Sequence, residues 1–128
     1  MGTPMLYTAS SIALAALETL VHLGARSLPL NRYLVRIEVP DAIWAKAIRV
    51  DSAALVGWDA LPPGKVSIDW GTTWCAGGAT ALALVPSVVV PEEPNVLINP
   101  KHPDAVKITA KKLRKWSYDP RAVSVASR

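Results

Sequence analysis

The stretch "LALVPSVVVPEEPNVLINPKHPD", residues 82–104, decides the fold. Its apolar part predicts a buried strand, because three consecutive β-branched residues, Val88 to Val90, suit a pleated and packed surface. The run is interrupted by Pro86, and a single hydroxyl side chain, Ser87, follows at once. The closing segment "NPKHPD" is typical of a turn. A lone serine beside an apolar strand therefore needs an explanation.

The composition predicts a globular chain of one domain. The chain has 128 residues, of which 51% are hydrophobic and 19% charged, and a chain of this length buries about two thirds of its unfolded surface. Cys75 is the only cysteine, which excludes an internal disulfide and a cysteine-rich zinc site, so a reducing cytoplasm is expected. The net charge of +4 permits an acidic ligand or partner without identifying one.

No stretch of the sequence predicts a membrane anchor. The apolar N-terminal stretch lacks a basic n-region and contains Glu18 and His22, which argues against a signal peptide. The other long apolar stretch, Ala76 to Val90, is interrupted by Pro86 and is shorter than the roughly 20 residues that a membrane helix needs. The chain is therefore expected to be soluble and not to bind a membrane.

The first half of the chain predicts alternating strands and helices. Met5 to Thr8 is a short strand candidate, and a helix is expected to run to about Leu23, with Gly24 placed to end it. Three hydroxyl side chains could cap the start of this helix: Thr8, Ser10 and Ser11. The alternation in "RYLVRIEVP" predicts a half-exposed strand. Its apolar face consists of Tyr33, Val35, Ile37 and Val39. A short helix is expected within "DAIWAKAIRV".

The second half predicts mainly strands. Prolines, glycines and tryptophans between Gly57 and Gly78 indicate an irregular segment with about one turn of helix. Strands are expected at Ala81 to Val90, Val96 to Ile98 and Val106 to Thr109. The mixture predicts an α/β (α+β) fold, with a mixed β-sheet and packed helices.

Glu18 is the most informative single residue of the first helix. It is the only formally charged side chain between Met1 and Ala25, and it falls at the edge of a wide apolar arc on the helical wheel. A helix this apolar is packed on most sides, so the carboxylate is expected to face a cleft or a buried partner. Spacing alone ranks an ordinary structural role, pairing with His22 four residues on or with an arginine, somewhat ahead of a functional one.

Five motifs together resemble one known family. They occur in the order and spacing of RES-domain toxins, the toxic half of bacterial type II toxin–antitoxin pairs, and cover nearly the whole chain. The most specific parts are the block from Tyr7 to His22 and the run from Val85 to Pro103. The motifs are "GTPMLYTASSIALAALETLVHL", "YLVRIEVPD", "GWDALPP", "TTWCAGGATALALVPSVVVPEEPNVLINPKHPD" and "YDPR".

The resemblance implies a function for three residues. The family is named for an Arg, a Glu and a Ser; Glu18 matches the second and Ser87 the third, which implies that both are catalytic. Tyr7 matches a tyrosine of the same pocket, so Tyr7 and Ser87 are expected to contact NAD. The family resembles the ADP-ribosyltransferase fold, and its members consume NAD as substrate. Some members hydrolyse or phosphorolyse it, and some transfer ADP-ribose to a protein.

The residue types fit this chemistry. Cleaving the bond between nicotinamide and ribose develops positive charge on the sugar, which a fixed carboxylate such as Glu18 stabilises in the transition state. Tyr7 offers a flat face for nicotinamide. Ser87 can hydrogen-bond to the amide or the ribose, and nucleophilic attack by it is disfavoured because the sequence implies no suitable His or Asp.

The family's arginine has no match in this chain. The family pattern places it in an "RWN"-like segment upstream of the tyrosine, whereas the first arginine here is Arg26. The expectation is a single RES domain over 1–128 without that segment. Either the start of the sequence is truncated, or another cation binds the phosphates. An arginine suits phosphates because its planar fork binds two oxygens at once.

The protein partners are predicted on two grounds. The resemblance implies a helix-turn-helix antitoxin of the Xre type that covers the NAD cleft, whereas an apolar, tryptophan-rich surface and the net positive charge predict a homo-oligomer. The alternative is a degenerate RES-fold module that pairs with the antitoxin without turnover.

The basic segment "KITAKKLRKW" is better explained as a solvated face than as a nucleic-acid site, and contact with an acidic antitoxin surface is the second explanation. His22 and His102 lack partners at metal-ligand spacing, so no metal site is expected. His102 is expected in a turn and is a candidate for lining the pocket.

Overall fold

The computed structural model describes residues 5–23, 32–51, 65–119 and 121, with side chains described in the same ranges except at 22, 23 and 65–68. Four strands form a sheet: β1 (Leu6–Ala9), β3 (Ile48–Arg49), β4 (Leu82–Pro86) and β5 (Pro94–Ile98). Two strands form a separate ribbon: β2 (Arg32–Glu38) and β6 (Thr109–Trp116). The helices are α1 (Ile12–Leu23), α2 (Asp41–Ala45) and α3 (Lys65–Gly77), and a 3₁₀ helix spans Pro103–Lys107.

The four-stranded sheet is mixed. Its strand order is β1-β5-β4-β3, with β5 antiparallel to both of its neighbours and β3 parallel to β4. The strand β5 therefore lies between the N-terminal strand and the apolar strand β4. This arrangement confirms the predicted α/β (α+β) class with a mixed sheet and packed helices.

Both faces of this sheet are covered by other elements, which explains why "LALVP" is apolar at every position. On one face the sheet side chains pack with Ile43 of α2 and, partly buried, Ile37 and Val39 at the end of β2. The sheet residues of this face are Leu82, Leu84, Val96 and Ile98. On the other face, Ala83, Val85 and Leu97 pack with Trp74 and Cys75 of α3.

Helix α1 begins at a serine cap, as the sequence predicts. The Ser11 Oγ accepts a hydrogen bond from the backbone N–H of Leu14 at 3.1 Å, which satisfies one of the amides left free at a helix start. Leu14 is only 2% exposed. Glu18 lies one turn further along the same side of α1, since residues four apart share a helix face. Gly24, the predicted end of the helix, lies outside the described residues.

The prediction of an irregular segment between Gly57 and Gly78 was wrong over residues 65–77, which form the helix α3. The glycines that suggested irregularity have structural roles instead. A Cβ on Gly71 would lie 2.9 Å from the Met5 Sδ and 3.1 Å from the Leu97 Cδ1, so this glycine leaves room for both side chains between α3 and the sheet. Gly78 has a φ of +66° and donates its N–H to the Trp74 carbonyl, which ends the helix. The motif "GWDALPP" lies outside the described residues.

Two predicted strands have different bounds in the structure. The strand expected at Ala81 to Val90 ends at Pro86, and the valines after Ser87 form a bend. The strand expected at Val106 to Thr109 is largely wrong, since Pro103–Lys107 is a 3₁₀ helix and β6 begins at Thr109.

The described part of the chain also contains no helix that is both long and apolar enough to cross a bilayer.

Candidate functional site

Glu18 and Ser87 meet at the end of β4. The Ser87 hydroxyl donates a hydrogen bond to the Glu18 Oε1 across 2.6 Å, a length typical of a hydroxyl bound to a charged carboxylate. Ser87 follows β4 directly and is 0% exposed, whereas Glu18 on α1 is only partly buried. The two side chains that the sequence singled out are therefore in direct contact.

The Ser87 hydroxyl also holds the bend that follows it. Its Oγ accepts hydrogen bonds from the backbone N–H groups of Val89 at 3.1 Å and Val90 at 3.0 Å. The Ser87 N–H donates to the Glu93 carbonyl at 2.9 Å, which closes the bend before β5 begins. Because both amides point at the oxygen, its single proton is directed to Glu18. This is the physical reason for a serine beside an apolar strand, and for the end of the strand at Pro86.

Asn95 is a third member of the site, and the sequence analysis missed it. It lies on β5 directly opposite Val85 and is 1% exposed. Its Nδ2 donates to the Glu18 Oε1 at 3.0 Å and to the Tyr7 hydroxyl oxygen at 3.0 Å. A signal was present, since Asn95 is the one polar side chain in the buried strand "PNVLI" and buried polar groups need partners.

Tyr7 completes a continuous hydrogen-bonded set, here called the Glu18 network: Tyr7, Glu18, Ser87 and Asn95. The register of β1 against β5 pairs Tyr7 with Leu97, so Tyr7 and Asn95 lie on the same face of the sheet. Tyr7 is 44% exposed, while its hydroxyl oxygen reaches Asn95. The site therefore has a buried polar base and an aromatic side chain at the surface.

The electrostatics of the site keep Tyr7 protonated. Burial raises the pKa of Tyr7 above its usual 10.0, and the Glu18 carboxylate raises it further, against a lowering by the Asn95 hydrogen bond. A neutral phenol whose oxygen accepts from Asn95 keeps its own proton for another acceptor. Tyr7 is thus a hydrogen-bond donor at the mouth of the site.

The two carboxylate oxygens of Glu18 differ in their hydrogen bonding. Both described donors, Ser87 Oγ and Asn95 Nδ2, bind Oε1. Among the described residues, Oε2 accepts no hydrogen bond and Glu18 forms no ion pair, so the predicted structural alternative of an arginine partner has no support there. Its other proposed partner, His22, has a side chain outside the described part of the structure.

The remaining candidates lie elsewhere or are not described. Arg32 lines a cavity of about 200 Å³ between α1 and the β2–β6 ribbon, together with Trp116 and Tyr118. His102 begins the 3₁₀ helix, where its Nδ1 accepts from the Asp104 N–H at 3.0 Å. Arg26 lies outside the described residues. Over the described ranges, no three His, Cys, Asp or Glu side chains are grouped so that they could hold a metal ion.

The chain belongs to the RES domain family, whose model matches residues 1–121. It is 58% identical over 126 residues to the Prs ADP-ribosylating toxin of Sphingobium sp. (strain YBL2), covering 98% of this chain and 78% of that protein. It is 37% identical over 101 residues to Toxin Res of Yersinia enterocolitica, covering 79% of this chain and 65% of that one.

A third relative gives a similar match. Toxin Res of Photorhabdus laumondii is 33% identical over 103 residues, covering 80% of this chain and 65% of its own length. The chain thus spans a little under two thirds of the Yersinia and Photorhabdus proteins. The family predicted from the motifs is confirmed.

Proposed function

We propose that this chain is the toxin of a type II toxin–antitoxin system and that it consumes NAD by cleaving the bond between nicotinamide and ribose. The observation that carries this proposal is the Glu18 carboxylate, held at Oε1 by Ser87 and Asn95 and open at Oε2 within the described residues. Membership of the RES family and the toxin names of the relatives support it.

Glu18 supplies the electrostatic part of the reaction. As the C–N bond breaks, nicotinamide leaves with the electron pair and positive charge develops on the ribose. A fixed carboxylate near the ribose stabilises this charge more strongly than it stabilises the uncharged sugar of the substrate. The two donors on Oε1 hold the carboxylate before substrate arrives, so little reorganisation is needed during the reaction.

Ser87 and Tyr7 have different roles in this proposal. Ser87 is 0% exposed and its proton is directed to Glu18, so it acts by holding the carboxylate in place. Tyr7 is 44% exposed and presents both a ring face and a phenol to a ligand. We assign Tyr7 to contact with nicotinamide or its ribose, because aromatic faces stack on flat heterocycles.

Protein ADP-ribosylation is the favoured outcome. The donor half of the reaction is common to hydrolysis, phosphorolysis and transfer to a protein, which differ only in the acceptor that attacks the sugar. The name of the Sphingobium relative, an ADP-ribosylating toxin at 58% identity over 98% of this chain, favours a protein acceptor.

The phosphates of NAD need a cation. Arg32 is our candidate among the described arginines, because it lines a cavity that α1 also lines through Ala15, Ala16 and Thr19, on a different face of the helix from Glu18. A guanidinium binds phosphate oxygens through two parallel hydrogen bonds. Arg26, the other arginine considered from the sequence, lies outside the described residues.

A helix-turn-helix antitoxin and a second copy of the chain are the proposed protein partners, in the cytoplasm. Helix α1 supports a protein contact, because several of its large apolar side chains are exposed to solvent. These are Ile12 at 52%, Leu17 at 42% and Val21 at 52%. An interface on α1 would lie on the same helix as Glu18, so a bound antitoxin could block the site.

One experiment tests the reaction and identifies the acceptor. Purified protein is incubated with NAD carrying a label on the adenylate half, alone, with phosphate, or with an extract of bacterial cells. We expect release of nicotinamide, with the label on a protein in the extract. Label only in free ADP-ribose indicates hydrolysis, and label in ADP-ribose-1-phosphate indicates phosphorolysis. No nicotinamide release under any condition would favour the binding-module alternative.

A further inference from the structure

Asn95 lies between the two halves of the site. It is 1% exposed on β5, and one nitrogen, Nδ2, makes both of its described side-chain hydrogen bonds. A primary amide has two N–H groups, so one serves the Tyr7 oxygen and the other the Glu18 Oε1. This side chain thus connects the carboxylate on α1 to the phenol on β1.

The carboxylate fixes which way the amide points. Turning the Asn95 amide over would place its Oδ1 against Glu18 Oε1, and two acceptors without a proton between them repel. In the observed orientation, Oδ1 is buried and has no hydrogen-bond partner among the described residues. A buried acceptor that makes no hydrogen bond destabilises the fold, so this orientation is held at a cost in stability by its contact with Glu18.

We infer that Asn95 is a positioning residue, which acts on the reaction by orienting Glu18. Together with Ser87 it occupies Oε1 and leaves Oε2 directed to the substrate. The same amide holds the Tyr7 oxygen as an acceptor, so that the phenol proton is available to a ligand. Asn95 itself is too buried to contact substrate. This inference rests on the proposed function, because it assigns Asn95 to the NAD-consuming site.

The chain offers a matched control at the other end of the same strand. Asn99 follows β5 and is 2% exposed, and its Nδ2 donates to the Cys75 carbonyl at 3.2 Å. Asn99 therefore resembles Asn95 in burial and in the loss of stability on substitution, but it does not contact Glu18. If Asn95→Leu lowers NAD turnover and Asn99→Leu does not, the loss of a buried asparagine does not by itself explain the effect.

The test is a double-mutant cycle on NAD turnover, with each rate corrected for the folded fraction. We expect Asn95→Leu to lower kcat by about 10- to 100-fold, since it removes a hydrogen bond to a charged group, with KM for NAD changed less than about threefold. Asn99→Leu is expected to leave both constants near wild type. In a Glu18→Gln background, Asn95→Leu should cost little more, because residues that act through one another are not additive. Additive losses would overturn the inference.

A second measurement does not need turnover. Ultraviolet titration of the tyrosines, assigned by the loss of one transition in Tyr7→Phe, is expected to show a more alkaline midpoint for Tyr7 in Asn95→Leu than in wild type. If wild type consumes NAD and the cycle is additive, the positioning role fails alone. If wild type consumes no NAD, the proposed function fails. The Tyr7 titration still tests the contact in that case, because an unchanged Tyr7 midpoint in Asn95→Leu would show that the hydrogen bond from Asn95 to Tyr7 is absent.

Discussion

The Ser87 Oγ lies 2.6 Å from the Glu18 Oε1, although 69 residues separate the two in the chain. The contact joins α1 to the end of β4, and Asn95 on β5 binds the same carboxylate oxygen. Three elements of the fold thus meet at one charged group, beside the end of β4 and the start of β5, the two inner strands of the four-stranded sheet. The Glu18 carboxylate accepts both hydrogen bonds, so it contributes to the stability of the fold and, in our proposal, to the reaction. Substitutions can separate these two roles.

Substituting Glu18 by Gln should separate charge from shape. The glutamine Oε1 can still accept from Ser87 and Asn95, so the thermal midpoint is expected to stay within a few degrees of wild type. Loss of the negative charge should lower NAD turnover by about 100-fold or more, with NAD affinity largely kept. Thermal melts and nicotinamide release are measured on the same preparation. Early melting with normal turnover per folded molecule would end the catalytic assignment.

Substituting Ser87 by Ala should affect both stability and rate. The change removes the donor to Glu18 and leaves the amides of Val89 and Val90 without their acceptor, which should cost about 1–3 kcal/mol in the free energy of unfolding. Turnover should fall less than in Glu18→Gln, because the carboxylate remains.

Thr8→Val is the matched control for Ser87→Ala. The Thr8 hydroxyl donates to the Val96 carbonyl at 2.7 Å and does not contact Glu18. It should lower stability without lowering turnover per folded molecule. A larger loss of turnover in Ser87→Ala than in Glu18→Gln would indicate that Ser87 is a nucleophile.

The pKa of Tyr7 predicts a loss of stability in alkali. Because its folded-state pKa is raised above 10.0, the folded chain holds this proton more tightly than the unfolded chain. Tyr7 is protonated in both states below about pH 10 and adds no pH dependence there. Above that value the unfolded chain releases the proton first, so the free energy of unfolding falls as the pH rises through the folded-state pKa.

Denaturant unfolding at a series of pH values measures this effect. Tyr7→Phe should lose less stability than wild type as the pH rises above the ordinary tyrosine pKa of 10.0. Glu18→Gln should also reduce the decline, since the Glu18 charge contributes to the raised pKa. Identical alkaline declines in wild type and Tyr7→Phe would show that Tyr7 is not shifted.

Local signals in the sequence were sufficient for several elements. The serine cap at Ser11 and the apolar arc after it predicted α1, and alternation predicted β2. The helices and strands that the sequence did not predict are those whose residues contact parts of the chain that are distant in sequence. Gly71 and Trp74 in α3 indicated irregular chain, but they pack against the sheet, and that contact depends on residues far away in sequence. The basic strand β6 is exposed along most of its length, so its sequence has no apolar alternation that would predict a strand.

The candidate site was predicted only in part. Glu18, Ser87 and Tyr7 came from the family motifs, and the structure connects them in one network. Asn95 was missed because it precedes an apolar run and has no charge, and its partners come from α1 and β1, 77 and 88 residues away. Burial of a polar side chain becomes visible only when the sheet register is known.

The end of α3 allows a test with two neighbouring glycines. Gly78 has a φ of +66°, so Gly78→Ala should cost about 1–2 kcal/mol in the free energy of unfolding, the strain of a side chain in the left-handed region. Gly77 is the last helical residue, and an added Cβ there would meet no atom within 4 Å. Gly77→Ala should therefore gain up to about 1 kcal/mol. Equal effects of the two substitutions would contradict the helix end at this position.

Arg32 offers the test of phosphate binding. If its guanidinium binds the pyrophosphate, Arg32→Gln should raise KM for NAD by about 10-fold or more, because hydrogen bonds to charged groups contribute about 1.5–3 kcal/mol each. Arg36 is the matched control, since it lies on the same strand and pairs with Glu38 at 2.9 Å. Arg36→Gln should leave KM within about twofold of wild type. The salt dependence of KM should weaken in Arg32→Gln alone. Equal KM values for both variants would assign the phosphates to another cation.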